Sequence, residues 1–131
     1  MAESLIPFEI LCNEEVVARG YMRRSLAPIT ISKLLGLLPV ESRLFFLQDI
    51  AYILLEIRVP LENSTKELEE GSVFYWPLGK CLGISLREQV FRYKVNPVGR
   101  IDEGLDRIVK LRQGSPVRIE RGKESELEEL D

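Results

Sequence analysis

Tyr75 and Trp76 adjoin just ahead of Pro77-Leu78-Gly79, and Phe91, Arg92, Tyr93 and Lys94 alternate aromatic with cationic side chains. Residues of these kinds recognise rather than react. An aromatic corner beside a tight turn can floor a pocket for a peptide or a small molecule. Aromatics interleaved with cations can also stack bases and hold phosphates, although an edge strand with a solvated charged face shows the same pattern. No histidine occurs among the 131 residues. That excludes Ser-His-Asp triads, Cys-His pairs and His-ligated zinc. What remains is carboxylate, Lys, Tyr or Cys chemistry, or binding alone.

Two arginines on the expected strands are candidates for a ligand-facing role: Arg43, beside Phe45 and Phe46, and Arg58, which follows Ile57. With Tyr75, Trp76, Arg87 and Phe91 they form the candidate ligand groove. Glu56 and Arg58 share a strand face and are expected to pair. Glu67, Glu69 and Glu70 lack an ordered ligand spacing, so no metal site is expected, and no cofactor is implied. Cys12 and Cys81 cannot frame a disulfide scaffold and read as reduced thiols. Lys80 beside Cys81 could lower that thiol's pKa; a small buried hydrophobe is the plainer expectation.

Glu124, Glu126, Glu128, Glu129 and Asp131 make the C-terminus acidic, and the formal charge of the chain is -3. Without those five charges the body carries +2, too little for a strong field toward nucleic acid or an anionic membrane. Residues 1–123 read as one domain and 124–131 as a solvated acidic tail. The start lacks a basic n-region, and no uncharged run is long enough to span a membrane. A cytoplasmic protein is expected.

The elements that must position these residues are mostly strands. Leu5 to Leu11 reads as a first strand and Val16 to Arg19 opens its hairpin partner. Ser25 to Leu38 reads as a helix, capped by Ser25 or a near neighbour, with Pro28 in its first turn and Ile31, Leu34, Leu35 and Leu38 buried. Ser42 to Leu47 and Ile50 to Val59 read as strands; Ala51, Ile53, Leu55, Ile57 and Val59 share the inward face. Leu61 to Gly71 reads as an exposed acidic loop. Ser72 to Trp76, Cys81 to Leu86 and Phe91 to Asn96 follow as strands, the last broken by Pro97-Val98-Gly99. Tyr75 and Trp76 then point to opposite faces. Asp102 to Arg112 reads as the clearest helix, with i,i+4 pairs Glu103–Arg107 and Asp106–Lys110 and a stop at Gly114. A last strand spans Pro116 to Arg121.

Two segments carry a family resemblance. Gly71-Ser72-Val73-Phe74-Tyr75-Trp76-Pro77-Leu78-Gly79-Lys80-Cys81-Leu82 resembles the G-D-x-x-Y-W-P-P-G-x-A-L signature of small prokaryotic cyclophilin-like proteins. Val95-Asn96-Pro97-Val98-Gly99-Arg100-Ile101-Asp102-Glu103-Gly104-Leu105 resembles their V-N-V-I-G-K-I-x-E-G-L, and is similar to H-V-V-F-G-K-V-x-E-G-M of true cyclophilins. Residues 1–66 match in layout alone. The resemblance implies a mainly β fold: a closed antiparallel β-barrel of about eight strands with two capping helices.

True cyclophilins bind an X-Pro peptide on the barrel face, where an Arg weakens the amide resonance that sets a rotation barrier of ~18–20 kcal/mol. Here the groove His aligns with Val95, and the F-H-R-x-I-P-G-F strand is not reproduced. No catalytic residue is therefore assigned. The expected function is a binding module for an extended peptide or small ligand; the alternative is a prolyl isomerase using Arg43 or Arg58. Self-association through a strand edge is a further expectation.

Overall fold

The computed structural model describes residues 5–122. The acidic tail lies outside the described residues. Nine strands and two short helices follow in the order β1 (Leu5–Cys12), β2 (Glu15–Arg23), α1 (Pro28–Leu37), β3 (Val40–Leu47), β4 (Ile50–Leu54), β5 (Thr65–Leu68), β6 (Ser72–Trp76), β7 (Cys81–Ser85), β8 (Gln89–Glu103), α2 (Leu105–Ile108) and β9 (Ser115–Arg121). The strands pair in the order β2-β1-β9-β3-β4-β7-β6-β8, and β2 pairs again with β8. An eight-stranded antiparallel barrel is thus closed, with β5 added outside on β8. The fold expectation is met.

Period-2 patterning decides what fills the barrel. Ile6, Phe8 and Ile10 of β1, Leu44 of β3, Ala51 and Ile53 of β4, Val73 and Tyr75 of β6, and Leu82 and Ile84 of β7 all join one buried cluster. The interior void measures only about 20 Å³. That is room for about one water, so the barrel holds its own side chains and no ligand.

Three glycines let the strands cross closely where the barrel shuts. Met22 pairs with Gly99 and Gly20 with Ile101 along the β2–β8 seam. A Cβ on Gly99 would lie 1.9 Å from the Tyr21 carbonyl oxygen, and one on Gly20 would lie 2.2 Å from that of Arg100. Gly104 adopts φ 98° against the Val17 carbonyl.

Several local expectations are corrected by distant partners. Pro97-Val98-Gly99 does not break β8, which runs on to Glu103. Val73 pairs with Gly99 and Phe74 with Pro97, so a bulge takes up Val98, and Pro97 stays in the strand although its nitrogen has no proton to donate. Ile101 to Glu103 is strand and not helix, because Ile101 and Glu103 pair with Gly20 and Arg19. That leaves α2 the single turn Leu105–Ile108; the Glu103–Arg107 pair survives at 3.6 Å, and Gly114 has the expected positive φ of 79°. β4 ends at Leu54, and Leu55, Ile57 and Val59 leave the sheet yet still pack against the core. Leu61 to Gly71 is no exposed loop throughout: it contains β5, whose Leu68 is buried.

The cap of α1 also comes from far away. Ala27 stands at the N-cap position and makes no side-chain bond. The Glu62 carboxylate accepts instead from the Ile29 and Thr30 amides at 2.9 and 2.8 Å, and from the Thr30 hydroxyl at 2.6 Å. These are donors that every helix start leaves unsatisfied, and a carboxylate also suits the positive end of the dipole. Burial raises the Glu62 pKa, but the bonds from Thr30 and Ile29 outweigh it and hold the group below the usual 4.5. A depressed folded value adds stability above the unfolded pKa, and that stability is lost as pH falls through the folded value. Glu62→Gln is therefore expected to cost about 1 kcal/mol at pH 7. The gap between variant and parent should narrow once pH drops below about 4.5 in urea melts. A gap that stays constant down to pH 3 would refute the charge-based account.

Candidate functional site

The segment from Leu55 to Ser64 has no regular secondary structure, yet it is pinned across one mouth of the barrel by side chains. The buried Tyr75 hydroxyl donates to the Leu55 carbonyl at 2.7 Å and accepts from the Ile57 amide at 3.1 Å. Burial pushes its pKa up, which keeps the donor protonated. The buried Asn96 donates to the Pro60 carbonyl at 2.9 Å and to the Thr30 hydroxyl at 3.1 Å, and accepts from the Glu62 amide at 2.8 Å. Lys33 adds a bond to the Arg58 carbonyl. Tyr75 is therefore an internal clamp, not a groove residue. It faces inward and Trp76 outward, as adjacent strand residues must.

The opposite, outward face of β3, β4, β7, β6 and β8 carries a belt of aromatics. Phe45 pairs with Tyr52, Tyr52 with Gly83, and Gly83 with Phe74. The Phe45 and Tyr52 rings lie 5.9 Å apart. Gly83 is required here, since a Cβ would meet the Phe74 ring at 2.5 Å. Phe91 packs against Phe74 at 5.8 Å and edge-on to Trp76 at 5.3 Å. Tyr93 stacks on Trp76 at 5.1 Å, and the Arg92 guanidinium carbon lies 5.7 Å from the Tyr93 centroid. Gly79 seats the indole, for a Cβ there would lie 2.2 Å from its ring. Ile50, Leu68 and Val95 complete this second cluster, outside the barrel. Leu54, Leu78 and Val90 remain largely exposed around it.

Of the six candidate groove residues, only Trp76 and Phe91 are brought together. Arg87 is exposed and paired with Asp49 at 2.7 Å. Arg43 donates to the Gly114 carbonyl at 2.8 Å. It lines an open cleft of about 400 Å³ with Glu14, Glu41, Ser42, Pro116 and Arg118. Arg58 is exposed on the irregular segment. Glu56 does not pair with it, because the strand both were assigned to ends at Leu54; Glu56 pairs with Lys80 at 3.2 Å instead.

Cys81 lies between Leu54 and Trp76 on the outward row. Burial pushes its thiol up to about 11 despite the neighbouring Lys80. It is the inert small hydrophobe and not an activated thiol. No group of three or more His, Cys, Asp or Glu side chains that could hold a metal occurs among the described residues. Nor, among them, is any helix long and apolar enough to cross a membrane.

Phe45, Tyr52, Phe74 and Tyr93 escaped the candidate set; only Tyr52 carried a signal for the outward face, since it stands opposite the apolar inward face of Ala51 and Ile53. Asn96 and Glu62 carried no local signal.

The family model described as Cyclophilin-like matches residues 8–120. No curated protein matches the chain significantly. Among solved structures, the solution structure of the hypothetical protein AF2241 from Archaeoglobus fulgidus aligns with a TM-score of 0.72 at 24% identity, covering 92% of this chain and 98% of that one. The structure of McbB in complex with tryptophan aligns with a TM-score of 0.70 at 19% identity, covering 87% of this chain and 44% of that one.

Proposed function

This chain belongs to the cyclophilin-like family, and from that premise we propose that it is a binding module. Its ligand is an extended peptide or a small molecule, held against the outer face of β4, β7, β6 and β8. The observation that carries this reading is the aromatic cluster outside the barrel. The water-facing side of an antiparallel sheet is ordinarily polar. Here Tyr52, Phe74, Trp76 and Phe91 gather on that side, with Tyr93, Leu54 and Val90 exposed beside them. A contiguous apolar patch of this kind marks an interaction surface. The filled barrel interior leaves no competing internal site.

The test is a titration of the ¹⁵N-labelled protein with short peptides and aromatic fragments. Shifts are expected at the Trp76 indole and the amides of Gly79, Gly83 and Phe91. Shifts confined to the Arg43 cleft, or none at all, would overturn the reading.

One observation favours a second reading, prolyl isomerisation. Arg43 and Phe45 share the outward face of β3, next to Tyr52. Acceleration of an X-Pro peptide in a coupled assay that is lost in Arg43→Ala would establish it.

A further inference from the structure

β8 departs from regular pairing where it meets the aromatic cluster. Thr65 pairs with Val95, but Glu67 already pairs with Val90. The four residues Phe91–Lys94 thus stand opposite Lys66 alone and have no ladder partner in β5. Pairing with β6 begins only at Asn96. Such bulges re-aim side chains, and this one delivers Phe91 and Tyr93 onto Trp76. The indole Nε1 of Trp76 is buried without an acceptor. An unsatisfied buried donor costs about 1–3 kcal/mol, and it is the only such side-chain atom among the described residues.

We infer that Phe91–Lys94 is a displaceable arm whose Tyr93 occupies the docking seat on Trp76, and that the seat takes an extended acidic segment of another protein. The inference rests on the outer-face reading above and names its ligand. Unpaired strand backbone needs alternating donors and acceptors, which an extended main chain supplies by β-augmentation. The arm has no β5 ladder partner to give up, so turning Tyr93 aside breaks ring contacts while Phe91 keeps its packing on Phe74. Charge selects the segment: Arg92, Lys94 and Lys66 have no carboxylate within 4.0 Å among the described residues. The carboxylates Glu67 and Glu88 lie at the other end, beside Val90. The acidic side chains therefore align with the Lys94 end.

Trp76 is the sole tryptophan, so its emission reports on the seat directly. The probes are the blocked peptide Glu-Leu-Glu-Val-Glu-Leu-Glu, its Lys-for-Glu counterpart, and the acidic peptide with alternate backbone amides methylated. The acidic peptide is expected to change Trp76 emission and to bind at least tenfold more tightly than either control. Arg92→Glu with Lys94→Glu should abolish that preference. Tyr93→Ala should tighten binding severalfold, since the competitor for the seat is gone; this residue is partly exposed, and an unchanged Tm would show that folding is intact. Equal binding of the methylated or basic peptide, or weaker binding by Tyr93→Ala, would overturn the inference while the outer-face reading stands. If neither peptides nor aromatic fragments perturb Trp76, both fall.

Discussion

Gly99→Ala is expected to open the barrel. The added methyl would sit 1.9 Å from the Tyr21 carbonyl oxygen and 2.9 Å from the Met22 Cα. Both are backbone atoms, so no rotamer change relieves the contact. The seam can respond only by parting β2 from β8, which costs the pairing of Gly20 with Ile101 and Tyr21 with Arg100 as well. We expect a loss of about 3 kcal/mol or more, seen as a Tm lower by about 10–15 °C. Amide exchange should rise along both strands. Gly36→Ala is the internal control. Nothing lies within 4 Å of its Cβ position in α1, so the gain in helix propensity should add about 0.5–1 kcal/mol. A Gly99→Ala protein that melts within 3 °C of the parent would show that the seam is not the closure point.

Asn96→Ala is expected to cost about 3 kcal/mol. The side chain is fully buried and serves three groups: the Pro60 carbonyl, the Thr30 hydroxyl and the Glu62 amide. Truncation takes the donor from the Pro60 carbonyl and the acceptor from the Glu62 amide and leaves a small cavity beside the buried Thr30. The damage should not stay local. Glu62 caps α1 through its carboxylate while its own amide is held by Asn96. Losing Asn96 should therefore raise amide exchange in residues 55–64 and in the first turn of α1 together. An increase confined to β8 would refute the linkage.

The two variants bear on function in different ways. The Gly99 seam lies on the far side of β8 from the aromatic belt, and its role is to hold the sheet that presents the belt. Asn96 follows directly on Val95, where β8 leaves its irregular arm and enters the barrel. Its bonds to the segment 55–64 fix the point at which the arm begins. The four residues Phe91–Lys94 themselves have no ladder partner in β5. A rigid anchor beside a loosely held cover is what a docking seat needs, since ligand contacts then need not reorganise the barrel.

Much of this was readable before any coordinates. Alternation along Ile50 to Val59 puts Ala51, Ile53, Leu55, Ile57 and Val59 on one apolar face, and in Val73-Phe74-Tyr75-Trp76 it sets Tyr75 and Trp76 on opposite faces, because strand period is 2 whatever the strand packs against. The two motif segments, 71–82 and 95–105, placed the chain in its family and implied the barrel. Pro28 in the first turn of α1 and the buried, unreactive character of Cys81 followed from residue type alone. Tertiary structure decided everything that depends on what comes to meet a face. Asp102 to Arg112 has helical spacing, but its first residues are drawn into a ladder by Gly20 and Arg19 from the other end of the chain. The cap of α1 is Glu62, more than thirty residues from the amides it binds, so no local pattern could disclose it. That Tyr75 and Trp76 take opposite faces was legible; which of the two turns outward was not. That Tyr93 stacks on the indole, while Arg43, Arg58 and Arg87 go elsewhere, depends on a bulge in β8 and on partners such as Gly114 and Asp49. A sequence specifies the face a residue presents; register and closure specify its neighbour.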